Sequence, residues 1–174
     1  MLDKFVAVGA AFFFCANAFA IAAVASPWWI IYKPRENRAG VNKYGLTVSC
    51  RQDPDGHREW CGYVDVPGEW TATLVLLVVG IVCMCVTTFL LVLSLYKNEL
   101  LGKAQKVAFA GMVLFCMAAL VFPVGFYFEE IGGTPYKLMP STSKVGTSYV
   151  LFVMAIFFTI IGELFACRVC APMF

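Results

Sequence analysis

The stretch YGLTVSCRQDPDGHREWC, Tyr44–Cys61, is a polar, turn-forming segment in a chain that is otherwise mostly apolar. Every second residue from Tyr44 to Cys50 is apolar, and this period of two predicts a strand. Pro54–His57 then supply a turn, because proline presets one corner and Gly56 tolerates the exit geometry. Arg58–Val64 has the composition of a return strand. The stretch therefore predicts an antiparallel β-hairpin.

The length of the turn determines which residues of the two strands face each other. A four-residue loop is a common hairpin connection. With this loop the register pairs Cys50 with Cys61, Arg51 with Trp60, Gln52 with Glu59 and Asp53 with Arg58. Facing residues of a hairpin lie within the distance that a disulfide requires. We therefore predict a Cys50–Cys61 disulfide; the alternative is a pair of free cysteines.

The rest of the chain is dominated by long apolar runs. Hydrophobic residues make up 61% of the sequence, and the mean hydropathy is +0.80. About 20 apolar residues in a helix cross the roughly 30 Å hydrocarbon core of a bilayer. The runs predict transmembrane helices at residues 5–26, 71–95, 107–128 and 147–167. An alternative for the first run is a cleaved signal peptide ending near Ala25, but the run is longer than such segments usually are.

These elements predict a membrane α-helical protein, a bundle of four transmembrane helices with a small antiparallel β-sheet. The whole chain, residues 1–174, is expected to form a single domain with loops at 27–70 and 129–146. A four-residue repeat of small side chains is expected to pack the first helix against its neighbours. Its members are Ala7, Ala11, Cys15, Ala18, Ala22 and Ser26.

Charge and cysteine placement predict the orientation in the membrane. Five of the lysines and arginines fall in short segments on the side of the termini, and eight fall in the two long loops on the other side. By number of positive charges, the positive-inside rule would place the two long loops in the cytosol. By density of positive charge, it would place the termini there. A disulfide requires an oxidising compartment, which supports the density reading. We expect cytosolic N- and C-termini and extracellular loops at 27–70 and 129–146.

The sequence does not favour an enzyme. His57 is the only histidine, so no Ser-His-Asp set forms away from it, and no glycine-rich phosphate loop is present. Together with His57, the nearby carboxylates of Asp53, Asp55 and Glu59 form a candidate metal cluster, but a solvated turn is the better interpretation. We expect no catalytic residue, no metal and no cofactor, and membrane lipid rather than nucleic acid as the surroundings. The predicted cytosolic segments, residues 1–4, 96–106 and 168–174, have no room for a catalytic domain.

Three residues near the end of the last span are candidate sites. Glu163 lies within the span, where an acid usually faces the bundle or a partner. We consider an intramembrane partner contact, with snorkelling toward Lys4 as the alternative. Cys167 and Cys170 follow just past the span, and their position fits juxtamembrane palmitoylation, with unmodified cysteines as the alternative.

The first loop resembles that of the claudin superfamily of four-span membrane proteins. The pattern is a tryptophan after the first span, then Gly-Leu, then two cysteines. Here those positions are held by Trp28 or Trp29, Gly45, Leu46, Cys50 and Cys61. The junction-forming pattern has a tryptophan directly after Gly-Leu, whereas this chain has Thr47. The resemblance implies a claudin-like fold, and the departure at Thr47 argues against a junction protein.

Longer segments resemble the modulator of smoothened proteins, a family of atypical claudins. The matching segments include FCMAALVFPVGFYFEEIGGTPYKL, Phe115–Leu138, and VGTSYVLFVMAIFFTIIGELFACRVC, Val145–Cys170. The resemblance implies a non-enzymatic adaptor that restrains Hedgehog signalling by lowering Smoothened at the plasma membrane and the ciliary membrane. It implies as partners a large single-span EGF-repeat protein and a RING-type ubiquitin ligase, with Smoothened as an indirect target. The alternatives are a claudin-type junction or paracellular barrier protein, and an auxiliary subunit of a receptor or channel.

Overall fold

The computed structural model describes residues 2–33, 40–53, 58–63, 68–127 and 143–170. Within this part of the chain the secondary structure consists of four long helices, five short strands and two 3-10 turns. The side chains of residues 2, 3, 98, 126, 127 and 167–170 are outside the description.

The four long helices are α1 Leu2–Ala25, α2 Gly68–Ser94, α3 Leu101–Val121 and α4 Thr147–Cys170. Each is long and apolar enough to cross a membrane. The prediction of four apolar helices is therefore confirmed. Helix formation is required in such segments, because lipid offers no hydrogen-bond partner for an unpaired backbone N–H or C=O group.

Helix α3 begins earlier than predicted, at Leu101 rather than residue 107. Lys103 and Lys106 lie in its first turns and are exposed. Charged side chains limit the part of a helix that can face lipid, but they do not interrupt its backbone hydrogen bonds, so charge was a poor guide to where the helix starts. At its other end α3 gives way to a 3-10 segment, Phe122–Tyr127, which contains Pro123. Proline lacks an N–H and disfavours the α conformation of the residue before it.

The five strands form one antiparallel sheet. They are β1 Ile30–Tyr32, β2 Val41–Tyr44, β3 Ser49–Gln52, β4 Glu59–Gly62 and β5 Ser143–Val145. Their order across the sheet is β4-β3-β2-β1-β5, so β4 and β5 are the edges. The predicted small antiparallel sheet is confirmed.

The predicted hairpin has the predicted register. Strands β3 and β4 pair Cys50 with Cys61, Arg51 with Trp60 and Gln52 with Glu59. The amide of Asp53 donates to the carbonyl oxygen of Arg58 at 3.0 Å, so the pairing continues to the edge of the loop. The loop itself, Pro54–His57, lies outside the described residues.

The prediction of one strand from Tyr44 to Cys50 is wrong. The chain turns there, and the amide of Gly45 donates to the carbonyl oxygen of Val48 at 3.0 Å. Strands β2 and β3 therefore form a second hairpin around this corner. Leu46 lies buried in the corner, and its apolar side chain produced the alternation that suggested a strand. Gly45 is required by close approach, since a Cβ there would lie 2.7 Å from the Val48 oxygen and 2.8 Å from Pro27 Cα.

The chain divides into two compact units. The helical unit comprises Met1–Ile21, Leu76–Cys116 and Phe152–Phe174. In it α1 and α4 pack through phenylalanine rings, with Phe12 5.6 Å from Phe165 and Phe19 5.3 Å from Phe158 between ring centroids. Aromatic rings at these separations add to the stability gained from burial alone.

The small-residue repeat on α1 does not pack this unit. Ala7, Ala11, Cys15, Ala18 and Ala22 are all exposed. The buried stripe of α1 instead runs through Val6, Gly9, Phe13, Ala16 and Ala20. The prediction was wrong because both stripes have helical spacing and small or apolar residues, and only the packing partners distinguish them.

The sheet unit comprises Ala22–Val75 and Met117–Leu151. Its core is a cluster of four rings, Trp29, Trp70, Phe122 and Tyr149. Phe122 is central, with its centroid 4.9 Å from Trp29, 5.5 Å from Trp70 and 5.4 Å from Tyr149. The indole N–H of Trp29 donates to the carbonyl oxygen of Ala23 at 2.7 Å. That carbonyl belongs to the last turn of α1, which has no intrahelical donor of its own.

A methyl group added at the β2–β3 corner should destabilise the sheet. We expect Gly45→Ala to lower the free energy of unfolding by about 1–3 kcal/mol, because the added Cβ overlaps Val48 and Pro27. The matched control is Gly62→Ala in β4, where an added Cβ meets nothing within 4 Å. Thermal unfolding in mild detergent would measure both, and equal Tm values for the two variants would contradict the corner assignment.

Removal of the Trp29 N–H should also be costly. We expect Trp29→Phe, which keeps an aromatic ring, to destabilise the protein by about 1–3 kcal/mol, because it leaves the buried Ala23 carbonyl without its donor. Trp60→Phe is the control, since Trp60 is 66% exposed. Denaturation in detergent followed by tryptophan fluorescence would compare them. A larger effect at residue 60 would show that the capping bond contributes little.

Candidate functional site

The most exposed part of the sheet is its edge strand β4. All four of its residues are exposed, including Trp60 at 66%, and Tyr63 just beyond it is 92% exposed. Large aromatic side chains are enriched at protein–protein contacts, since they give much contact area at little entropic cost. We therefore take β4 and Tyr63 as the candidate contact surface and call it the aromatic edge.

Two cross-strand links hold the aromatic edge to the sheet. Cys50 of β3 forms a disulfide with Cys61 of β4, with their Cα atoms 4.1 Å apart. Glu59 of β4 reaches across β3 to Lys43 of β2, where Oε1 and Nζ are 2.8 Å apart. Strand β4 buries little apolar surface, so these links, in addition to backbone pairing, keep it in place.

Lys43 is an unusual residue for a sheet, because it is only 6% exposed. Its ammonium group lies 4.1 Å from the ring centroid of Trp28 and makes the ion pair with Glu59. A buried ammonium is costly unless a carboxylate or an aromatic face compensates for lost water. Trp28, Lys43 and Glu59 thus form one chain of contacts leading from the start of the sheet to the aromatic edge.

The structure assigns different roles to the two candidate motif tryptophans. Trp29 is 1% exposed and belongs to the ring cluster, whereas Trp28 covers Lys43. Gly45 and Leu46 form the corner between β2 and β3. Thr47, at the position where junction-forming claudins have tryptophan, is exposed in that corner.

A cavity of about 330 Å³, with a mixed polar and apolar lining, lies beside these links. Its lining consists of Tyr32, Asn42, Lys43, Tyr44, Ser49, Cys50 and Arg51. The Asn42 Oδ1 atom is buried and has no hydrogen-bond partner among the described residues. The exposed Arg51 guanidinium at the cavity can donate hydrogen bonds to a polar surface laid against the sheet.

The chemistry of the sheet does not favour a metal centre. Ligand atoms of Cys50, Glu59 and Cys61 lie within 4.8 Å of one another. Both sulfur atoms are joined in the disulfide, however, and a metal requires the thiolate. Two members of the candidate metal cluster in the hairpin turn, Asp55 and His57, lie outside the described residues.

Glu163 lies on α4 with its side chain buried, and its Oε1 atom has no hydrogen-bond partner among the described residues. The one ion pair among the described residues joins Lys43 and Glu59, and the alternative of snorkelling toward Lys4 stays a prediction. An intramembrane partner contact at Glu163 stays a prediction. The side chains of Cys167 and Cys170 lie outside the described part, so palmitoylation also stays a prediction.

Sequence reasoning missed two residues that the structure singles out. Lys43 was one of eight cations in the loops, and nothing in the sequence marks it as buried. Asn17 is buried in α1, with an amide oxygen that has no described partner. The sequence could have indicated a role for Asn17, because it is the only amide side chain in the apolar run 5–26. Polar residues within spans often form hydrogen bonds between helices.

Loss of the disulfide should release the aromatic edge. We expect the double variant Cys50→Ser with Cys61→Ser to lose about 3 kcal/mol of stability, the chain-entropy value for a loop of this length. Surface biotinylation and limited proteolysis should show poorer delivery to the cell surface and faster cleavage. Cys116→Ala, at an exposed free cysteine of α3, is the control. Normal delivery and protease resistance of the double variant would mean that the hairpin does not need the bond.

Comparison with protein families identifies the family to which the chain belongs. The model of the Attenuator of Hedgehog family matches residues 26–172, more than four fifths of the 174 residues. The match includes all five strands, the disulfide and helices α2 to α4. It confirms the resemblance to modulator of smoothened proteins, and the family's name describes negative regulation of Hedgehog signalling. The chain belongs to the Attenuator of Hedgehog family.

Proposed function

We propose that this protein is a non-enzymatic membrane adaptor that restrains Hedgehog signalling by lowering Smoothened at the plasma membrane and the ciliary membrane. In this proposal it acts with a large single-span EGF-repeat protein and a RING-type ubiquitin ligase, and Smoothened is the indirect target. Membership of the Attenuator of Hedgehog family is the observation that carries the proposal. The mechanism comes from the resemblance to modulator of smoothened proteins.

The described structure supports action by contact rather than by chemistry. Helix α2 ends at Ser94 and α3 begins at Leu101, so the segment between them is residues 95–100. That connection has no room for a folded catalytic module. Among the described residues, the surfaces available for partners include the outer faces of the helices and the aromatic edge.

The proposed orientation follows from the disulfide. Disulfides persist in oxidising compartments, so the sheet belongs on the extracellular or lumenal side of the membrane. With four spans, the proposed orientation has both termini in the cytosol. This orientation supports contact between the aromatic edge and the ectodomain of a single-span partner. Recruitment of a cytosolic ubiquitin ligase then falls to that partner, and acylation of Cys167 and Cys170 would strengthen the membrane attachment of α4.

The combination of four apolar helices with one antiparallel sheet supports a claudin-like arrangement. It does not favour a barrier function, because the corner that carries tryptophan in junction-forming claudins carries the small polar Thr47. No observation favours a channel subunit over an adaptor.

Deletion of the protein from Hedgehog-responsive cells tests the proposal. We expect Smoothened to rise several-fold at the cell surface and in cilia, because the complex that removes it loses its adaptor. Surface biotinylation and ciliary immunofluorescence would measure the rise, with target-gene transcription as the signalling readout.

Re-expression identifies the surface responsible. Wild-type protein should restore low Smoothened, whereas Trp60→Ala with Tyr63→Ala should not, provided that both reach the surface equally. Val145→Ala, at the exposed opposite edge strand β5, is the matched control and should restore it. Unchanged Smoothened after deletion, combined with altered transepithelial conductance, would reject the adaptor in favour of a barrier protein.

A further inference from the structure

The backbone of β4 contains two kinds of residue, those whose N–H and C=O groups bond to β3 and those whose groups point away from it. Facing residues of an antiparallel pair alternate between hydrogen-bonded pairs, with Cα atoms about 5.5 Å apart, and non-hydrogen-bonded pairs, about 4.5 Å apart. The Cα atoms of Cys50 and Cys61 are 4.1 Å apart, so their pair is non-hydrogen-bonded. The bond from the Asp53 amide to the Arg58 carbonyl oxygen agrees, since Arg58 lies an odd number of residues from Cys61.

This alternation identifies the backbone groups that β4 leaves free. Trp60 and Gly62 bond to β3, whereas the N–H and C=O groups of Glu59 and Cys61 point away from the sheet. Among the residues that the structure describes, none bonds to these four groups. Every residue of β4 is exposed, so this side of the strand is open. Such a row of groups can bond to water or to a further strand.

Strand β4 also lacks the features by which edge strands usually avoid pairing. Those features are lysine, proline, a bulge or an unpaired inward-pointing charge. The stretch Glu59–Gly62 contains no lysine and no proline, and its register with β3 has no bulge. Its one charged side chain, Glu59, is held by Lys43 at 2.8 Å. Because the disulfide to Cys50 also fixes the strand, the edge is a preformed template for one more strand.

The side chains determine which strand fits this edge. Arg58, Trp60 and Gly62 share one face of the sheet, and Arg51 lies on that face opposite Trp60. The guanidinium groups of Arg51 and Arg58 are exposed, and neither makes an ion pair within the described part of the chain, although Asp53 faces Arg58. An added strand would place one residue opposite Arg58 and one opposite Trp60 on this face. A carboxylate at the first position and an apolar side chain at the second would complement them.

A second copy of this chain fits the edge less well. On the face in question β4 carries Arg58, Trp60 and Gly62, none of which is acidic. The one acid of the strand, Glu59, lies on the other face and is paired with Lys43. The β4 strand of a second copy therefore offers no carboxylate to Arg58, whereas an acidic segment of a different protein does.

We propose that β4 binds an extended acidic segment of another protein as an additional antiparallel strand, bonded to the outward N–H and C=O groups of Glu59 and Cys61. In this complex an acidic residue lies opposite Arg58 and an apolar residue lies opposite Trp60. Antiparallel pairing continues the arrangement of the whole sheet and is slightly more stable than parallel pairing. The proposal rests on the adaptor function for its biological meaning and deepens it by giving the mode of contact at the aromatic edge.

Amide hydrogen exchange first tests the backbone pattern in the full-length protein, held in phosphatidylcholine nanodiscs. We expect the amides of Glu59 and Cys61 to exchange about tenfold or more faster than those of Trp60 and Gly62, because only the latter bond to β3. Mass spectrometry with electron-transfer fragmentation resolves the individual amides. Protection of Glu59 and Cys61 in the free protein would overturn the proposal, since the edge would already be occupied.

A synthetic peptide then serves as the added strand. Its sequence is Thr-Val-Thr-Ile-Thr-Glu-Thr, with capped ends and a length of about seven residues, which is typical of a strand. In antiparallel register its glutamate lies opposite Arg58, its isoleucine opposite Trp60, and two of its threonines opposite Glu59 and Cys61. We expect saturating peptide to slow exchange at Glu59 and Cys61 and to leave the other edge strand, β5, unchanged.

Three modified peptides separate backbone pairing from other kinds of contact. N-methylation of the threonine opposite Glu59 removes a donor that points at β4, whereas N-methylation of the isoleucine removes one that points away. We expect the first to weaken binding about threefold to tenfold more than the second, as for one lost hydrogen bond. A peptide with lysine in place of glutamate should also bind more weakly. Fluorescence anisotropy of labelled peptides, with empty nanodiscs as background, would measure all of them.

A matched pair of protein variants tests the same bond from the other side. The Glu59 amide points away from β3, so Glu59→Pro removes an edge donor without removing a bond of the sheet. Glu59→Ala loses the same ion pair with Lys43 but keeps the N–H. We expect Glu59→Pro to bind the peptide about threefold to tenfold more weakly than Glu59→Ala. Arg58→Ala should reduce the preference for glutamate over lysine, and intact mass without reductant would verify the disulfide in each variant.

Several results would overturn the proposal. These are no protection of Glu59 and Cys61 by the peptide, equal effects of the two N-methylations, and equal binding by Glu59→Pro and Glu59→Ala. Dimers that Glu59→Pro abolishes, together with no effect of the peptide, would assign the edge to a second copy. None of these measurements involves Smoothened, so failure here is distinguishable from failure of the adaptor function.

Discussion

The indole N–H of Trp29 donates to the Ala23 carbonyl at 2.7 Å. This carbonyl lies in the last turn of α1, where the backbone C=O groups have no intrahelical donor. The backbone of the same residue donates to Tyr44 and accepts from Gly146, so it also joins β2 to the segment that enters α4. Its ring packs on Phe122 in the central cluster. The sheet unit depends on this residue, because one side chain completes a helix terminus while its backbone sets the position of two neighbouring segments.

The ionic contacts of Lys43 are the second constraint on the sheet. A buried cation needs compensation, and Trp28 and Glu59 supply it. Glu59 belongs to the exposed edge strand, while Trp28 lies next to the buried Trp29. A charge placed inside the sheet therefore connects the neighbourhood of the ring cluster to the aromatic edge.

Much of the fold could be predicted from the sequence because its strongest signals are local. The four apolar runs, the β3–β4 register and the Cys50–Cys61 bond all depend on spacing and turn chemistry. The corner at Gly45 could not be predicted, since a buried Leu46 gives the same alternation in a turn as in a strand. The packing stripe of α1 and the burial of Lys43 depend on distant partners, and a single sequence does not show which elements meet.

Strand β4 has no buried side chain, and the bond between Cys61 and Cys50 attaches it covalently to the sheet. The position of the aromatic edge therefore depends in part on the oxidation state of two cysteines. With the bond reduced, β4 would be held only by its backbone pairing with β3 and by the Lys43–Glu59 ion pair. How firmly Trp60 is held in the edge strand is thus coupled to the redox conditions around the sheet.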